Sequence, residues 1–238
     1  MAKERLDKLI ASTGRWSRRE VKTLVREGRV LVDGRIAGSA EEKYDAESCC
    51  IAVNGEELVL RRHTYVMLHK PAGVLSATED GRGRTVLDLL TPELRKIGVF
   101  PVGRLDKDTE GLLLLTDDGE LAHALLSPKN HVDKVYYARV SGRLTPEDCA
   151  AFEAGMTLGD GLECLPAGLE ILAAGETSEC LVTLREGKFH QVKRMLAARG
   201  KPVTYLKRLS MGSLRLDDTL APGEFRLLTA AEEAQLQR

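Results

Sequence analysis

Two stretches near the start of the chain space their apolar residues as amphipathic helices do. Residues 6–10 place leucine and isoleucine three and four positions apart, and Gly14 would end this first helix. Ser17 and Glu20 have the S-x-x-E spacing of a capping box, so a second helix is predicted to begin there. The apolar residues of this second helix are Val21, Leu24 and Val25. The pattern therefore predicts two short helices in succession.

After Gly28 the spacing changes to the two-residue alternation of β-strands. The stretch RVLVDGRIA is centred on Asp33-Gly34, a dipeptide that strongly favours the tight turn of a β-hairpin. Two consecutive helices would also suit a DNA-binding helix-turn-helix. The hairpin directly after them favours an RNA-binding module, and residues 3–50 resemble the RNA-binding domain first described in small-subunit ribosomal protein S-four.

Basic side chains are concentrated in this segment. Residues 3–35 contain ten Lys or Arg and five Asp or Glu, a local charge of +5 in a chain whose net charge is −1. Lys and Arg neutralise phosphates and release counterions, so such a surface suits a polyanion. The residues predicted to contact RNA are Arg18, Arg19, Lys22, Arg26 and Arg29.

A second basic segment covers residues 185–215, with nine Lys or Arg against one Asp or Glu, a local charge of +8. A solvated surface is the alternative explanation for either segment alone. Two such segments in a nearly neutral chain favour RNA binding. The contacts predicted here are Lys188, Lys207 and Arg208.

Beyond residue 64 the predicted strands and helices intermix without a regular βαβ period. Strands are predicted at 64–69, 134–141, 180–185, 203–209 and 213–216, and helices at 85–90, 119–126, 146–154 and 189–199. Because the strands alternate apolar and polar residues, we predict an α+β fold with a mixed, mainly antiparallel sheet. The expected domains are residues 1–60 and 64–238, with a linker near 59–63.

Composition indicates a globular cytoplasmic protein. The chain is 43% hydrophobic and 30% charged, and its longest wholly aliphatic run is the four leucines at 112–115. That run is too short for a signal core or a membrane span. The five cysteines are scattered and form no C-x-x-C pair, which suggests reduced thiols.

The stretch GRLDKDTEGLLLLTDDG, residues 103–119, concentrates aspartates around a run of leucines. Its oxygen-bearing residues imitate a calcium loop, with Asp106, Asp108, Glu110, Gly111 and Asp117 at its positions 1, 3, 5, 6 and 12. That interpretation is disfavoured, since the last ligand is normally glutamate and the loop must lie between two helices.

A hairpin explains the same stretch better, with helix 119–126 following its turn. GLLLLT reads as a buried strand and TDDGE as a turn, in which Asp117 and Asp118 serve as turn and cap residues. Asp106 would then lie at the end of a tight loop before the strand and be available for chemistry.

Four separated motifs now resemble the pseudouridine synthases, in the expected order. They are MLHKPAGVLS, VGRLDKDTEGLLLLTDDGELAHALLSP, DKVYYARV and EGKFHQVKRMLAARG. FHQVKRM and LAPGEFRLL resemble the branch typified by the synthases of small-subunit ribosomal RNA, which also carries the S-four-type domain. Members of this branch that modify large-subunit RNA share the same motifs. The resemblance implies an isomerase in which a carboxylate assists cleavage of the C1′–N1 bond of uridine and rejoining through C5.

The resemblance also implies roles for particular residues. Asp106 of the GRLD motif would be the catalytic carboxylate, Lys193 its cationic partner, and Tyr136 the residue that packs on the target base. Arg104, Leu214 and Arg194 would bind the substrate nucleotide, Leu214 by lining the uracil pocket. Tyr137 should fill a buried core position, because strand alternation directs it away from Tyr136.

No cofactor or metal is implied, since the isomerisation needs no external reactant and the five histidines lack the spacing of a metal site. The expected partner is 16S ribosomal RNA or an assembling small subunit, and the expected state is a monomer. Modification of 23S ribosomal RNA remains an alternative. A non-catalytic RNA-binding protein of ribosome assembly is another.

Overall fold

The structure, a computed structural model, describes residues 3–46 and 48–236. Within these residues the chain divides into two compact units. The first comprises the chain up to Thr64 together with Leu90–Val99, and the second comprises Tyr65–Leu89 and the chain from Phe100 onward. The division after Thr64 lies next to the linker expected at 59–63, whereas the sequence pattern places residues 90–99 in the second domain.

The N-terminal unit combines short helices with a small antiparallel sheet. Its elements are β1 (Glu4–Arg5), α1 (Leu6–Ala11), α2 (Arg18–Arg26), β2 (Val30–Val32), β3 (Arg35–Ile36), β4 (Lys43–Tyr44), β5 (Ile51–Val53), β6 (Glu56–Glu57) and α3 (Pro92–Ile97). Strands β3, β2, β5 and β6 pair in that order, and β1 pairs with β4. Both predicted helices and the hairpin are confirmed.

Local hydrogen bonds explain where these elements begin and turn. Ser17 Oγ accepts from the Glu20 backbone N–H at 3.3 Å, and the Glu20 carboxylate accepts from the Ser17 N–H at 2.6 Å, which completes the capping box. Asp33 and Gly34 have φ angles of 50° and 75°, as the tight hairpin turn requires. The apolar faces of α1 and α2 are buried in a core with β2 and β5.

Helix α3 is absent from the sequence prediction although its signals are present. Pro92 occupies its first turn, and Gly98 ends it in the left-handed conformation with φ 85°. A Cβ atom at Gly14 would lie 2.3 Å from the Glu93 carbonyl oxygen. Gly14 therefore permits a close approach between the chain after α1 and helix α3.

The second unit is built on a large mixed sheet. Its strands are β7 (Tyr65–Lys70), β8 (Phe100–Pro101), β9 (Glu110–Thr116), β10 (Lys134–Ser141), β11 (Met156–Thr157), β12 (Glu163–Cys164), β13 (Gly168–Ala173), β14 (Thr177–Leu184), β15 (Val203–Met211), β16 (Leu214–Arg215) and β17 (Phe225–Leu227). Its helices are α4 (Gly119–Leu126), α5 (Pro146–Ala154), α6 (Gln191–Ala198) and α7 (Ala230–Leu236), with 3₁₀ turns at Val86–Leu89 and Pro128–Asn130.

The strand order of this sheet confirms the predicted fold class. The main path runs β13-β14-β10-β15-β9-β7-β17, with β16 beside β15 and β8 beside β9. Strands β15 and β9 pair in parallel, while the other ladders among the described residues are antiparallel. The fold is therefore α+β with a mainly antiparallel sheet.

Several elements of this unit are absent from the sequence prediction, among them β11, β12, β13, β17 and α7, and one element differs in kind. Strand β13 lies at the sheet edge, where most of its side chains are exposed and weaken the apolar alternation. Strand β17 is only three residues long, and helix α7 lies near the end of the chain. The helix predicted at 85–90 is a 3₁₀ turn of four residues, Val86–Leu89.

Strand β9 leads out of the aspartate loop. Its four leucines, 112–115, are fully buried, so the strand contributes to the core through both faces. Asp118 caps the following helix α4 by accepting the Leu121 N–H at 3.0 Å, as predicted. A rigid strand and a capped helix thus follow the loop that carries Asp106.

Gly111 permits the parallel approach of β9 and β15. It has a φ of +105°, and a Cβ atom there would lie 2.2 Å from the carbonyl oxygen of Arg208. Gly111→Ala is expected to lower the free energy of unfolding by about 3 kcal/mol or more, because strain and a backbone clash combine. The midpoint of urea unfolding measures this loss.

Gly119→Ala provides the control, because nothing lies within 4 Å of the added Cβ atom. Alanine in this first helical turn should change stability by less than about 1 kcal/mol. Equal midpoints for Gly111→Ala and the wild type would contradict the close approach.

Among the described residues, no helix is both long enough and apolar enough to traverse a lipid bilayer.

Candidate active site

The loop that ends in Asp106 is held by hydrogen bonds from a neighbouring segment. Ser76 Oγ donates to the Leu105 carbonyl oxygen at 2.9 Å and accepts from the Leu105 N–H at 3.0 Å. The Gly73 N–H donates to the Lys107 carbonyl oxygen at 2.7 Å. Backbone groups on both sides of Asp106 are therefore fixed, which limits the movement of its side chain.

Lys70, at the end of β7, also holds the loop that carries Asp106. Its side chain is fully buried, and Nζ donates to the carbonyl oxygens of Pro71 at 2.9 Å, Lys107 at 3.3 Å and Thr109 at 2.9 Å. Burial lowers the pKa of Lys70 to about 8, although the carboxylates of Asp108, Asp106 and Glu110 oppose the shift. Lys70 thus joins the start of the sheet to the aspartate loop.

The Asp106 carboxylate faces two side chains from the segment that starts α6. Oδ2 lies 3.0 Å from Lys193 Nζ, and Oδ1 lies 3.5 Å from His190 Nε2. The side chains of Asp106 and Lys193 are each 23% exposed, so water screens this ion pair only in part. The structure therefore brings together the predicted carboxylate and its predicted cation.

Lys193 is shared with a second carboxylate. Its Nζ lies 2.5 Å from Asp108 Oδ1, and the Asp108 side chain is 74% exposed. Burial disfavours the charge of Lys193, but the hydrogen bonds to Asp108 and Asp106 outweigh it and raise the pKa of the lysine. The hydrogen bond from Lys193 in turn lowers the pKa of Asp108. Two residues of the calcium-like pattern, Asp106 and Asp108, thus pair with Lys193, and residues 110–116 of that pattern form strand β9.

Helix α6 sets the direction of its two adjacent basic residues. Val192, Met195 and Leu196 are buried, which orients the helix, and Lys193 points toward Asp106. Arg194 instead pairs with Asp160, with Nη2 2.5 Å from the carboxylate oxygen. Arg194 therefore lies on another side of the helix from the carboxylate that binds Lys193.

A small cavity surrounds this ion pair. Its lining includes the predicted residues Arg104, Asp106, Tyr136, Lys188 and Lys193. Arg104 is exposed, whereas Tyr136 is only 8% exposed and lies on β10. The structure thus gathers an exposed cation, a buried aromatic ring and the paired carboxylate in one pocket.

Tyr137 does not fill the buried position expected for it. It alternates away from Tyr136, but it is only half-buried and contacts Tyr205 edge-on with ring centroids 6.0 Å apart. Tyr136 is the more deeply buried of the two, because it lies on the core side of the strand.

Two predicted contacts lie elsewhere. Leu214 is 2% exposed and packs in the core with Met67, Leu112 and Met211, so it does not line this pocket. Arg208 is also 2% exposed, and its Nε donates to the Leu112 carbonyl oxygen at 2.8 Å. The prediction that Arg208 contacts RNA is therefore wrong for this structure, since a buried guanidinium cannot reach a phosphate.

Lys207 is half-buried on β15, and Lys188 donates from Nζ to the Glu163 carbonyl oxygen and pairs with Glu186 at 3.0 Å. Lys188 is thus held at the pocket wall by its partners. Its position at the pocket is compatible with an RNA contact, and its role stays a prediction.

In the N-terminal unit, the predicted RNA-binding residues are exposed on and after α2. Three of them are engaged in ion pairs with acidic side chains: Arg18 with Asp7, Lys22 with Glu41 and Arg29 with Glu27. Asp7 is 1% exposed and also pairs with Arg5, and these hydrogen bonds lower its pKa to about 2. Arg18 is therefore partly structural, whereas Arg19 and Arg26 remain exposed cations.

His190 and Thr109 also line the pocket, and the sequence pattern gives neither of them a role there. His190 faces Asp106 and has a left-handed backbone with φ 51°, and the histidine spacing in the sequence predicts no role for it. Thr109 lines the cavity, is 1% exposed, and has no hydrogen-bond partner for Oγ1 among the described residues. Folding brings these two residues to the pocket from distant parts of the chain, and the spacing of residues in the sequence does not reveal that they meet.

No group of three or more His, Cys, Asp or Glu side chains in residues 3–46 and 48–236 is arranged to hold a metal ion.

Comparisons with known proteins identify the family of this chain. Residues 64–198 match the family described as RNA pseudouridylate synthase, and residues 4–48 match the S4 domain. The first match covers more than half of the chain, so the protein belongs to the RNA pseudouridylate synthase family and carries an N-terminal S4 domain. This family isomerises uridine to pseudouridine in RNA.

Full-length relatives extend the match. An uncharacterized RNA pseudouridine synthase of Bacillus subtilis (strain 168) is 50% identical over 96% of both chains. Ribosomal small subunit pseudouridine synthase A of Vibrio cholerae is 40% identical over 98% of this chain and 99% of its own. Ribosomal large subunit pseudouridine synthase B of Bacillus subtilis is 39% identical over 98% and 96%.

A solved crystal structure of a pseudouridylate synthase superimposes with a TM-score of 0.68 at 35% identity. It covers 98% of this chain and 99% of its own. The predicted family, fold class and enzyme class are therefore confirmed.

Proposed function

We propose that this enzyme converts a uridine of 16S ribosomal RNA to pseudouridine, with Asp106 as the catalytic carboxylate. The observation that carries the proposal is the Asp106–Lys193 ion pair in a pocket that Tyr136 and Arg104 also line. The reaction breaks the C1′–N1 bond, turns the freed uracil and joins C1′ to C5. C5 loses a proton and the released N1 gains one, so the atoms balance and no other reactant is consumed.

The pocket offers a group for each demand of this reaction. The Asp106 carboxylate can attack C1′, remove a sugar proton or stabilise positive charge at the sugar. Lys193 compensates the negative charge of Asp106 and fixes its orientation through the 3.0 Å contact. Tyr136 presents an aromatic ring against which the uracil can pack while it turns.

The substrate base must leave its stack before it reaches this pocket, which costs a few kcal/mol. Contacts with the RNA backbone must offset that cost. The exposed Arg104 at the pocket and the cations of the S4 domain, Arg19 and Arg26, are suited to phosphate oxygens. Recognition would rest on RNA shape and unpaired segments, because side chains cannot read the deep groove of an RNA helix.

The small-subunit target is supported by the relative from Vibrio cholerae, whose name specifies that subunit. The alternative is 23S ribosomal RNA, and it is supported by the Bacillus subtilis large-subunit relative at nearly equal identity. Both targets require the same pocket chemistry, so the choice between them depends on contacts outside it.

Mapping ribosomal pseudouridines by carbodiimide modification, in a strain that lacks this gene, distinguishes the two targets. We expect one 16S pseudouridine to disappear and to return when the wild-type gene is restored. A site lost from 23S RNA with the 16S pattern intact would contradict the small-subunit target and leave the enzyme class unaffected. Restoring an Asp106→Asn gene is the matched control, because it supplies the protein without the proposed carboxylate.

A further inference from the structure

Phe189 is an apolar ring left largely in water beside the active-site pocket. It is 75% exposed, although burying a phenylalanine side chain ordinarily contributes a favourable free energy. Its chain neighbours Lys188 and His190 both line the pocket. An exposed aromatic ring therefore lies at the edge of the proposed catalytic site.

The ring is held in place from one side. Phe189 stacks on the imidazole of His190, with ring centroids 3.8 Å apart and an angle of 19° between the planes. His190 precedes α6 with the left-handed φ of 51°, and its Nε2 lies 3.5 Å from Asp106. One face of Phe189 is thus covered by His190, while most of the ring remains free to meet a planar partner.

The charges near this ring favour a nucleic acid as that partner. Phe189 lies within residues 185–215, which carry nine Lys or Arg against one Asp or Glu. Lys188, Lys193 and Arg194 each pair with a nearby carboxylate, so the relevant charge is the net positive charge of the whole segment. Proteins bind single-stranded nucleic acid by combining such cations with aromatic rings on which bases stack. A protein partner would require a larger apolar surface, whereas a single exposed ring in a segment of net charge +8 suits a base attached to phosphates.

We propose that the free face of Phe189 is a stacking platform for an unpaired base of the substrate RNA next to the displaced uridine. The inference rests on the proposed function, since it uses the same RNA and the same pocket. The stack would run from the base through Phe189 to His190 and hold the RNA open while the uridine occupies the site. Phe189 is a binding residue in this account, and Asp106 carries the chemistry.

Two substitutions separate stacking from simple apolar contact. Phe189→Leu keeps apolar bulk without a π face, and Phe189→Trp enlarges that face. We expect the leucine variant to bind in vitro transcribed ribosomal RNA about tenfold more weakly, and the tryptophan variant at least as tightly as the wild type. The slope of affinity against salt should be unchanged in both, because no phosphate contact is removed.

Fluorescence gives a direct measure of contact. Trp16 is the only tryptophan of the chain, so Trp16→Phe combined with Phe189→Trp leaves a single reporter at the platform. Addition of the transcript should quench that reporter by stacking.

Leu172→Ala is the matched control for the affinity of Phe189→Leu, because Leu172 is also an exposed apolar residue but lies on the edge strand β13 outside the pocket. Its affinity for the transcript should equal that of the wild type.

The outcomes are distinguishable from failure of the proposed function. Wild-type affinity for Phe189→Leu, or equal weakening by leucine and tryptophan, would overturn the stacking platform even if uridine is converted normally. Absence of conversion by the wild type would instead refute the proposed function, and the binding series would still decide whether a base stacks on Phe189. Thermal unfolding of each variant checks that the exposed substitutions leave the fold intact.

Discussion

Asp106→Asn is expected to abolish the conversion of uridine while leaving RNA binding nearly unchanged. The amide keeps the shape of the side chain but cannot attack C1′, remove a proton or stabilise positive charge. Loss of a group that acts only in the chemical step lowers kcat without weakening substrate binding. For Asp106→Asn we expect kcat to fall by at least about 10³-fold. Rates with in vitro transcribed ribosomal RNA, together with affinity from filter binding, measure both effects.

Asp108→Asn is the matched comparison for this variant. It removes a negative charge two residues away, and both aspartates contact Lys193. Because the Asp108 side chain is mostly exposed, we expect a loss of less than about tenfold for this substitution, as for other exposed ion pairs. Equal losses for Asp106→Asn and Asp108→Asn would argue against a unique role for Asp106.

Removal of the cation should produce the second large effect. Lys193→Met leaves Asp106 without its 3.0 Å partner, and a charge held in a partly water-excluded site then loses its compensation. We expect kcat to fall by about 10²-fold or more, as when one preorganised electrostatic contact is removed. Lys193→Arg keeps the positive charge and should recover most of the rate.

Lys129→Met provides the control for the change in net charge. Lys129 is exposed, lies in the 3₁₀ turn at Pro128–Asn130 and does not line the pocket. It should retain the wild-type rate. If Lys193→Met loses affinity for RNA with kcat unchanged, Lys193 is a phosphate contact and its assignment beside Asp106 is wrong.

Local signals made much of the fold predictable. The capping box at Ser17, the Asp33-Gly34 turn and the cap at Asp118 each specify a short-range hydrogen-bond pattern that the structure reproduces. Helix α3 was not predictable in this way. Its six residues are too few to show a helical spacing of apolar residues, although Pro92 and Gly98 mark its two ends. Edge strand β13 was missed because its exposed side chains blur the alternation of apolar residues.

The pocket was only partly predictable, because it depends on contacts between distant segments. The resemblance to a family placed Asp106 and Lys193 together, and the structure brings them to 3.0 Å. Periodicity cannot show that Lys70 holds the aspartate loop through three carbonyl oxygens or that His190 faces Asp106. These contacts arise from the pairing of β7 with β9 and from the entry to α6.

The two predicted contacts that differ most from the structure, Arg208 and Leu214, are both buried. Arg208 belongs to a segment of high positive charge, but the alternation of β15 directs it into the interior. Leu214 lies on the short strand beside β15 and completes the core. Local charge and composition do not reveal which face of a strand is buried. The burial of Arg208 and Leu214 becomes visible only from the observed pairing of their strands.

Release of tritium from ribosomal RNA labelled at C5 of uridine tests the central claim most directly. Pseudouridine cannot form from uridine without loss of that hydrogen from C5, so single-turnover release with enzyme in excess follows the chemical conversion without product release. The account predicts rapid release by the wild type and none above background by Asp106→Asn at saturating enzyme. Release by Asp106→Asn at the wild-type rate would contradict it.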